Sequence, residues 1–145
     1  MRSRVRRAAA PIAGVAIGAA LVVHGAAAAN VTGLPSTARS AAAGCYGQTD
    51  NPHNSRHFPG DVSVSSRTVC PGEAVTVTVS LYKRVHGSWR LLDTGRNAGA
   101  GRTQANAHGR CGRRGTTHRF LGVAYHTATN HSPAITRNAK RVTCR

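Results

Sequence analysis

Residues 74–82 read AVTVTVSLY. Val75, Val77, Val79 and Leu81 alternate with Thr76, Thr78, Ser80 and Tyr82. Period-two alternation of β-branched residues predicts a half-buried strand with the valines and Leu81 toward a core. Pro71-Gly72 just before it is a turn signal. Upstream, residues 61–69 (DVSVSSRTV) predict a preceding strand entered from Pro59-Gly60. Downstream, residues 88–93 (SWRLLD) follow a turn at His86-Gly87, and residues 102–110 make a weaker strand signal. Residues 117–127 (THRFLGVAYHT) place Arg119, Leu121, Val123 and Tyr125 on one face and Phe120, Gly122 and Ala124 on the other. Residues 135–144 close the domain, and no stretch after the first 29 residues keeps a helical period. Short strands separated by turn residues predict an all-β fold, a small antiparallel β-sandwich of immunoglobulin-like type. Trp89 reads as a residue of its core.

Around that strand stand Cys45, Cys70, Cys111 and Cys144, an even set. All four follow an N-terminal segment built like an export signal. Arg2, Arg4, Arg6 and Arg7 precede residues 8–23 (AAAPIAGVAIGAALVV), which carry no charge, and a small-residue run at 25–29 follows. That order is a secretory signal peptide, with cleavage expected after Ala29 and Ala27 as the alternative. The stretch is mostly Ala and Gly, and Pro11 interrupts it, so it reads poorly as a spanning helix. No transmembrane span is expected after processing. An oxidising compartment makes two disulfides the default. Three connectivities are open. Cys45–Cys70 and Cys111–Cys144 are favoured, because each joins segment ends through a loop of moderate length. No Cys-x-x-Cys pair supports zinc, and no cofactor is implied. The expected layout is a signal peptide at 1–29, a flexible mature N-terminus at 30–44 and a disulfide-bonded β-sandwich at 45–145.

Charge narrows the partners. The chain carries 20 Lys and Arg against four acids, a net charge of +16. Removing residues 1–29 removes four arginines and no acid, which lowers that charge to +12. Charge of this size speaks to partners rather than to fold. Anionic wall polymers, acidic polysaccharide, anionic lipid surfaces and extracellular nucleic acid are the expected ligands. Arginine outnumbers lysine 18 to 2, a usage that base composition of the genome also produces.

The run Cys45-x3-Thr49-Asp50-Asn51-Pro52-His53-Asn54-Ser55, then Pro59-Gly60-x-Val62 and Cys70, resembles a group of small secreted actinobacterial proteins. Leu81-Tyr82, Gly87-x-Trp89, Cys111 and Cys144 belong to the same resemblance, which spans nearly the whole mature domain. It implies secretion and a compact β fold, and it assigns no catalytic residue.

Three clusters are candidates for chemistry. Asp50, His53 and His57 offer metal-binding or acid–base groups, although Asp, Asn, Pro and Ser at 50–55 are first of all turn formers. Arg110, Arg113 and Arg114 flank Cys111 in a Gly-rich loop that would cradle an anion between amides and guanidinium groups. His118, Arg119 and His126 are a possible set for a secreted nuclease. Eight strand residues put its two imidazoles ~26 Å apart, too far for one phosphate without a third strand. Four acids leave little room for a glycosidase pair, and no Gly-x-Ser-x-Gly elbow is present. The expectation is a secreted, non-enzymatic binding module that contacts anionic material through arginines. A histidine-dependent nuclease and a cationic antimicrobial or toxin-like factor are the alternatives.

Overall fold

The computed structural model describes residues 37–39 and 44–145. The signal-like segment and its cleavage position lie outside the described residues. Seven strands make one antiparallel sheet: β1 (Thr37–Arg39), β2 (Tyr46–Thr49), β3 (His53–Asn54), β4 (Asp61–Val85), β5 (Ser88–Arg110), β6 (Thr117–Ala128) and β7 (His131–Thr143). The order is β1-β2-β4-β6-β7, with β3 and β5 also paired to β4. Part of the 30–44 segment departs from the expectation of an irregular arm. Thr37, Ala38 and Arg39 pair with Gln48, Gly47 and Tyr46, which supplies partners to the otherwise open edge of β2.

β4 and β5 are longer than expected, each joining two segments that the sequence separates. β4 runs for 25 residues and β5 for 23, paired from Asp61↔Arg110 to the tight turn at Val85↔Ser88. His86 and Gly87 in that turn have φ of 48° and 85°, the two positive values a type I′ hairpin needs. Pro71-Gly72 does not end a strand. Pairing breaks off at Val69↔Arg102 and resumes at Ala74↔Ala100, so residues 70–73 stand against Gly101 alone. Gly72 and Gly101 take φ of 82° and 72°, open to glycine without strain. Extra residues on one strand bend the ladder and sharpen its twist. They also switch the inward parity. Val62 and Val64 point inward before the bend, and Val75, Val77, Val79 and Leu81 after it.

The sheet thus folds over on itself into two layers. The first holds β2, β3, residues 61–69 and residues 102–110. The second holds residues 74–85, residues 88–100, β6 and β7. Val62 and Val64 from one side and Val77, Val79, Leu81, Phe120 and Ala124 from the other make one core. A Cβ at Gly122 would lie 2.6 Å from Val64 Cγ2, so β6 rests with its backbone almost on the opposite layer. The fold is an all-β antiparallel sandwich.

Disulfides join Cys45 to Cys70 and Cys111 to Cys144. The first ties the entry of β2 to the bend, and the second ties the end of β5 to the end of β7. With partners 25 and 33 positions apart in sequence, each restricts the unfolded chain enough to contribute about 3–4 kcal/mol. Two such bridges fit an extracellular protein.

Trp89 is not a core residue. It pairs with Arg84, which has the outward parity of β4, and its ring lies on the outer face of the second layer. The polar group at the centre is instead His126. Its Nδ1 is 2.8 Å from Thr68 Oγ1 and its Nε2 is 2.7 Å from Thr136 Oγ1. Thr136 bonds Thr49, Thr49 lies 3.1 Å from Ser66 Oγ, and Ser66 donates to the Gln48 carbonyl at 2.8 Å. One direction of donation satisfies the whole chain. Thr68 donates to Nδ1, a neutral imidazole donates from Nε2, and each hydroxyl passes on to the next acceptor. Burial holds the His126 pKa down to about 4.

Candidate functional site

Antiparallel pairing stacks side chains of one parity in rows across the sheet. On the outer face of the second layer, one such row brings cations together. Arg119 stands directly opposite Arg141, and Arg84 follows Lys83, the partner of Phe120, so it lies beside Arg119. The guanidinium carbons of Arg84 and Arg119 lie 5.9 and 6.0 Å from the centroid of Trp89. With Lys140 and Ala139, these three arginines line an open cleft of about 510 Å³.

Lys140 and Arg141 also border a second cleft of about 640 Å³ around the edge of β7, whose far wall is His53, Asn54, Ser55 and Arg56. Asn54 Nδ2 donates to the Thr143 carbonyl at 2.9 Å and holds that wall to β7. Arg145 lies at its end. Together the two clefts form a band of Arg84, Arg119, Arg141, Lys140, Arg145 and Arg56, with no Asp or Glu among the lining residues. Like charges directly opposite in a sheet destabilise it. Arg119 and Arg141 nevertheless face each other with no acid in salt-bridge range among the described residues.

Three of the four acids are engaged elsewhere. Asp61 is held by His108 Nδ1 at 3.2 Å and by Arg110 Nε at 3.8 Å. Asp93 accepts the His108 backbone amide, and Glu73 accepts Asn130 Nδ2. Arg110 is thereby partly neutralised. Arg113 and Arg114 are exposed on the turn after Cys111, which closes on itself through Thr116 Oγ1 to the Arg113 carbonyl. That turn sits beside Arg145, since the Gly115 amide donates to the Cys144 carbonyl at 2.8 Å. The loop arginines therefore flank the band without lining either cleft.

Asp50, His53 and His57 do not form a ligand set. Asp50 is exposed and its amide bonds the Ser65 carbonyl. His53 Nδ1 bonds the Asn51 carbonyl at 3.0 Å. Ser55 Oγ accepts the amides of His57 and Phe58, the turn-forming use of a serine. Among the described residues, one trio brings ligand atoms within 4.8 Å of one another: Cys45, Cys70 and His131. Its two sulfurs are spent on a disulfide.

The His118, Arg119 and His126 set is taken apart by strand parity. His126 is buried with both nitrogens bonded, Arg119 faces out, and His118 faces in with an edge-on contact to Phe120 at 6.5 Å. Burial and nearby Lys83 lower the His118 pKa. The sandwich offers a different pair of histidines. His53 pairs with Ser63, and Ser63 pairs with His108, so the two imidazoles flank one serine in a single row. Asp61 orients His108, and Phe58 stacks on it at 4.4 Å.

Sequence reasoning missed the band because its members lie far apart in the chain. The visible signals were the dibasic Lys140-Arg141 and the terminal Arg145, and only the β6–β7 register sets them against Arg119.

No family model matches the chain, and no curated protein matches it. Among solved structures, that of murine CRIg aligns with a TM-score of 0.43 and 8% identity, over 68% of this chain and 98% of that one.

Proposed function

We propose that this protein is a secreted, non-enzymatic module that binds anionic polymers outside the cell through the cationic band. The observation that carries the reading is the face-to-face pair Arg119 and Arg141, with no acid in salt-bridge range among the described residues, while Asp61 contacts His108 and Arg110. An anionic ligand would supply the missing charge. Guanidinium groups suit phosphate, sulfate and carboxylate alike, so wall polymers, acidic polysaccharide and extracellular nucleic acid share the chemistry.

Two expectations separate a binding band from a merely solvated one. Arg141→Thr removes the like-charge pair, so it should stabilise the free protein by about 0.5 kcal/mol, read from urea midpoints. The same substitution should weaken binding to polyphosphate and reduce the slope of log K against log [salt] by about 1. A variant that loses stability while binding unchanged would remove the band from the site. Arg113→Ala with Arg114→Ala should weaken binding less than Arg119→Thr with Arg141→Thr.

Phosphodiester cleavage is the second reading, and the row His53–Ser63–His108 favours it. Cleavage of RNA that disappears in His108→Gln, with polyphosphate binding intact, would establish it.

A further inference from the structure

The outer face of the second layer carries more than charge. Leu91, Tyr82 and Leu121 pair in one row, Val123 follows on β6, and Tyr125 pairs with Ile135 one row further on. These six side chains make a continuous apolar stripe across four strands. Three of them are large and open to solvent: Leu91 at 51%, Tyr125 at 46% and Ile135 at 52%. Arg96 stands opposite Thr78, Arg137 opposite Val123, and the Arg84, Arg119 and Arg141 row closes the end nearest Trp89. Among the described residues, no Asp or Glu pairs into these rows.

Resting on the polyanion reading above, we propose that this face docks on an anionic lipid surface. The stripe enters the interface and the surrounding arginines take the headgroup phosphates. Three features favour a lipid bilayer over other occupants. A second copy of the chain in two-fold contact would set this arginine rim against itself. A soluble polyanion has charge for the rim but nothing for exposed Leu91, Tyr125 and Ile135. A surface with both apolar interior and phosphate rim matches the pattern, and Trp89 between two guanidiniums is the kind of residue that settles at headgroup depth.

Trp89 is the only tryptophan in the chain and belongs to the proposed face, so its emission reports docking directly. The disulfide-bonded protein is titrated with vesicles of phosphatidylglycerol and phosphatidylcholine, with phosphatidylcholine alone, and with soluble polyphosphate. The expected result is a blue shift with the phosphatidylglycerol vesicles only, and quenching by brominated acyl chains. Leu91→Ser, Tyr125→Ser and Ile135→Ser combined should lower vesicle affinity at least ~10-fold, since apolar burial adds to the electrostatic attraction. Its polyphosphate affinity should remain that of the parent. If the triple variant fails to fold, the brominated-lipid quenching of the parent protein decides. Equal vesicle binding by parent and triple variant, or no quenching, overturns lipid docking and leaves the band as a soluble-polyanion site. Loss of polyphosphate binding in the parent would overturn the underlying reading as well.

Discussion

Val77→Asp should unfold the protein or cost at least ~4 kcal/mol, whereas Thr78→Asp at the next position should change stability by less than ~0.5 kcal/mol. Val77 is fully buried and belongs to the same core cluster as Val62, Val64, Phe120 and Ala124. A carboxylate there is dehydrated, and the residue directly opposite, His126, is held neutral at pH 7 with both ring nitrogens already bonded. The carboxylate's alternatives are to remain charged at great cost or to take up a proton against a pKa forced upward. Thr78 faces the other way, opposite Arg96 and Tyr125. An aspartate at that position keeps its water and gains a nearby guanidinium. Urea denaturation of the two variants under identical conditions measures the contrast. Greater damage from Thr78→Asp would mean that the inward face of β4 has been assigned to the wrong parity.

Acidification should produce the second large effect. His126 is held at a pKa of about 4 against an ordinary 6.5 because burial penalises the imidazolium. The folded-state pKa is the depressed one, so the unfolded chain binds the proton more readily. Stability from this group is complete above pH 6.5 and falls away as the pH drops toward 4. Integrated over that window, the loss is about 3 kcal/mol. Protonation would also reverse the donor at Nδ1. Thr68 would have to accept there and turn its own hydroxyl to the Thr76 carbonyl, a long 3.5 Å contact. His118, also lowered, adds to the loss in the same direction. His126→Gln should be less stable at pH 7 and should show a much shallower decline between pH 6.5 and 4. A slope unchanged by that substitution would place the acid sensitivity elsewhere.

The two results probe different kinds of information. The inward set Val75, Val77, Val79 and Leu81 was legible from AVTVTVSLY alone, because alternation along a strand is a property of neighbouring residues. The same holds for Phe120 and Ala124 against Leu121 and Val123. The favoured disulfides were also found, since pairing Cys45 with Cys70 and Cys111 with Cys144 closes moderate loops at strand ends. His126 was not legible as a core residue. It shares the inward parity of Phe120 and Ala124, yet a histidine on a strand has no local signal of burial. Its place depends on Thr68, Thr136 and Gly47, which arrive from three other strands. Gly47 leaves room for the ring, for a Cβ there would lie 2.5 Å from it.

Pro71-Gly72 carries the same lesson in the backbone. Locally the dipeptide is a turn, and a turn usually ends a strand. Here β5 keeps both sides paired, so the irregularity becomes a corner in one strand and folds the sheet over on itself. The cationic band follows from that folding and from the β6–β7 register. Arg119 and Arg141 are 22 positions apart, and Arg56 is farther still, so no window of the sequence contains them together. Composition and alternation determined that the chain is basic, disulfide-bonded and built of strands with known inward faces. Which cations meet, where Trp89 stands and how His126 is buried were decided by strand register and layer packing, because those contacts join residues that only the folded chain brings within reach of one another.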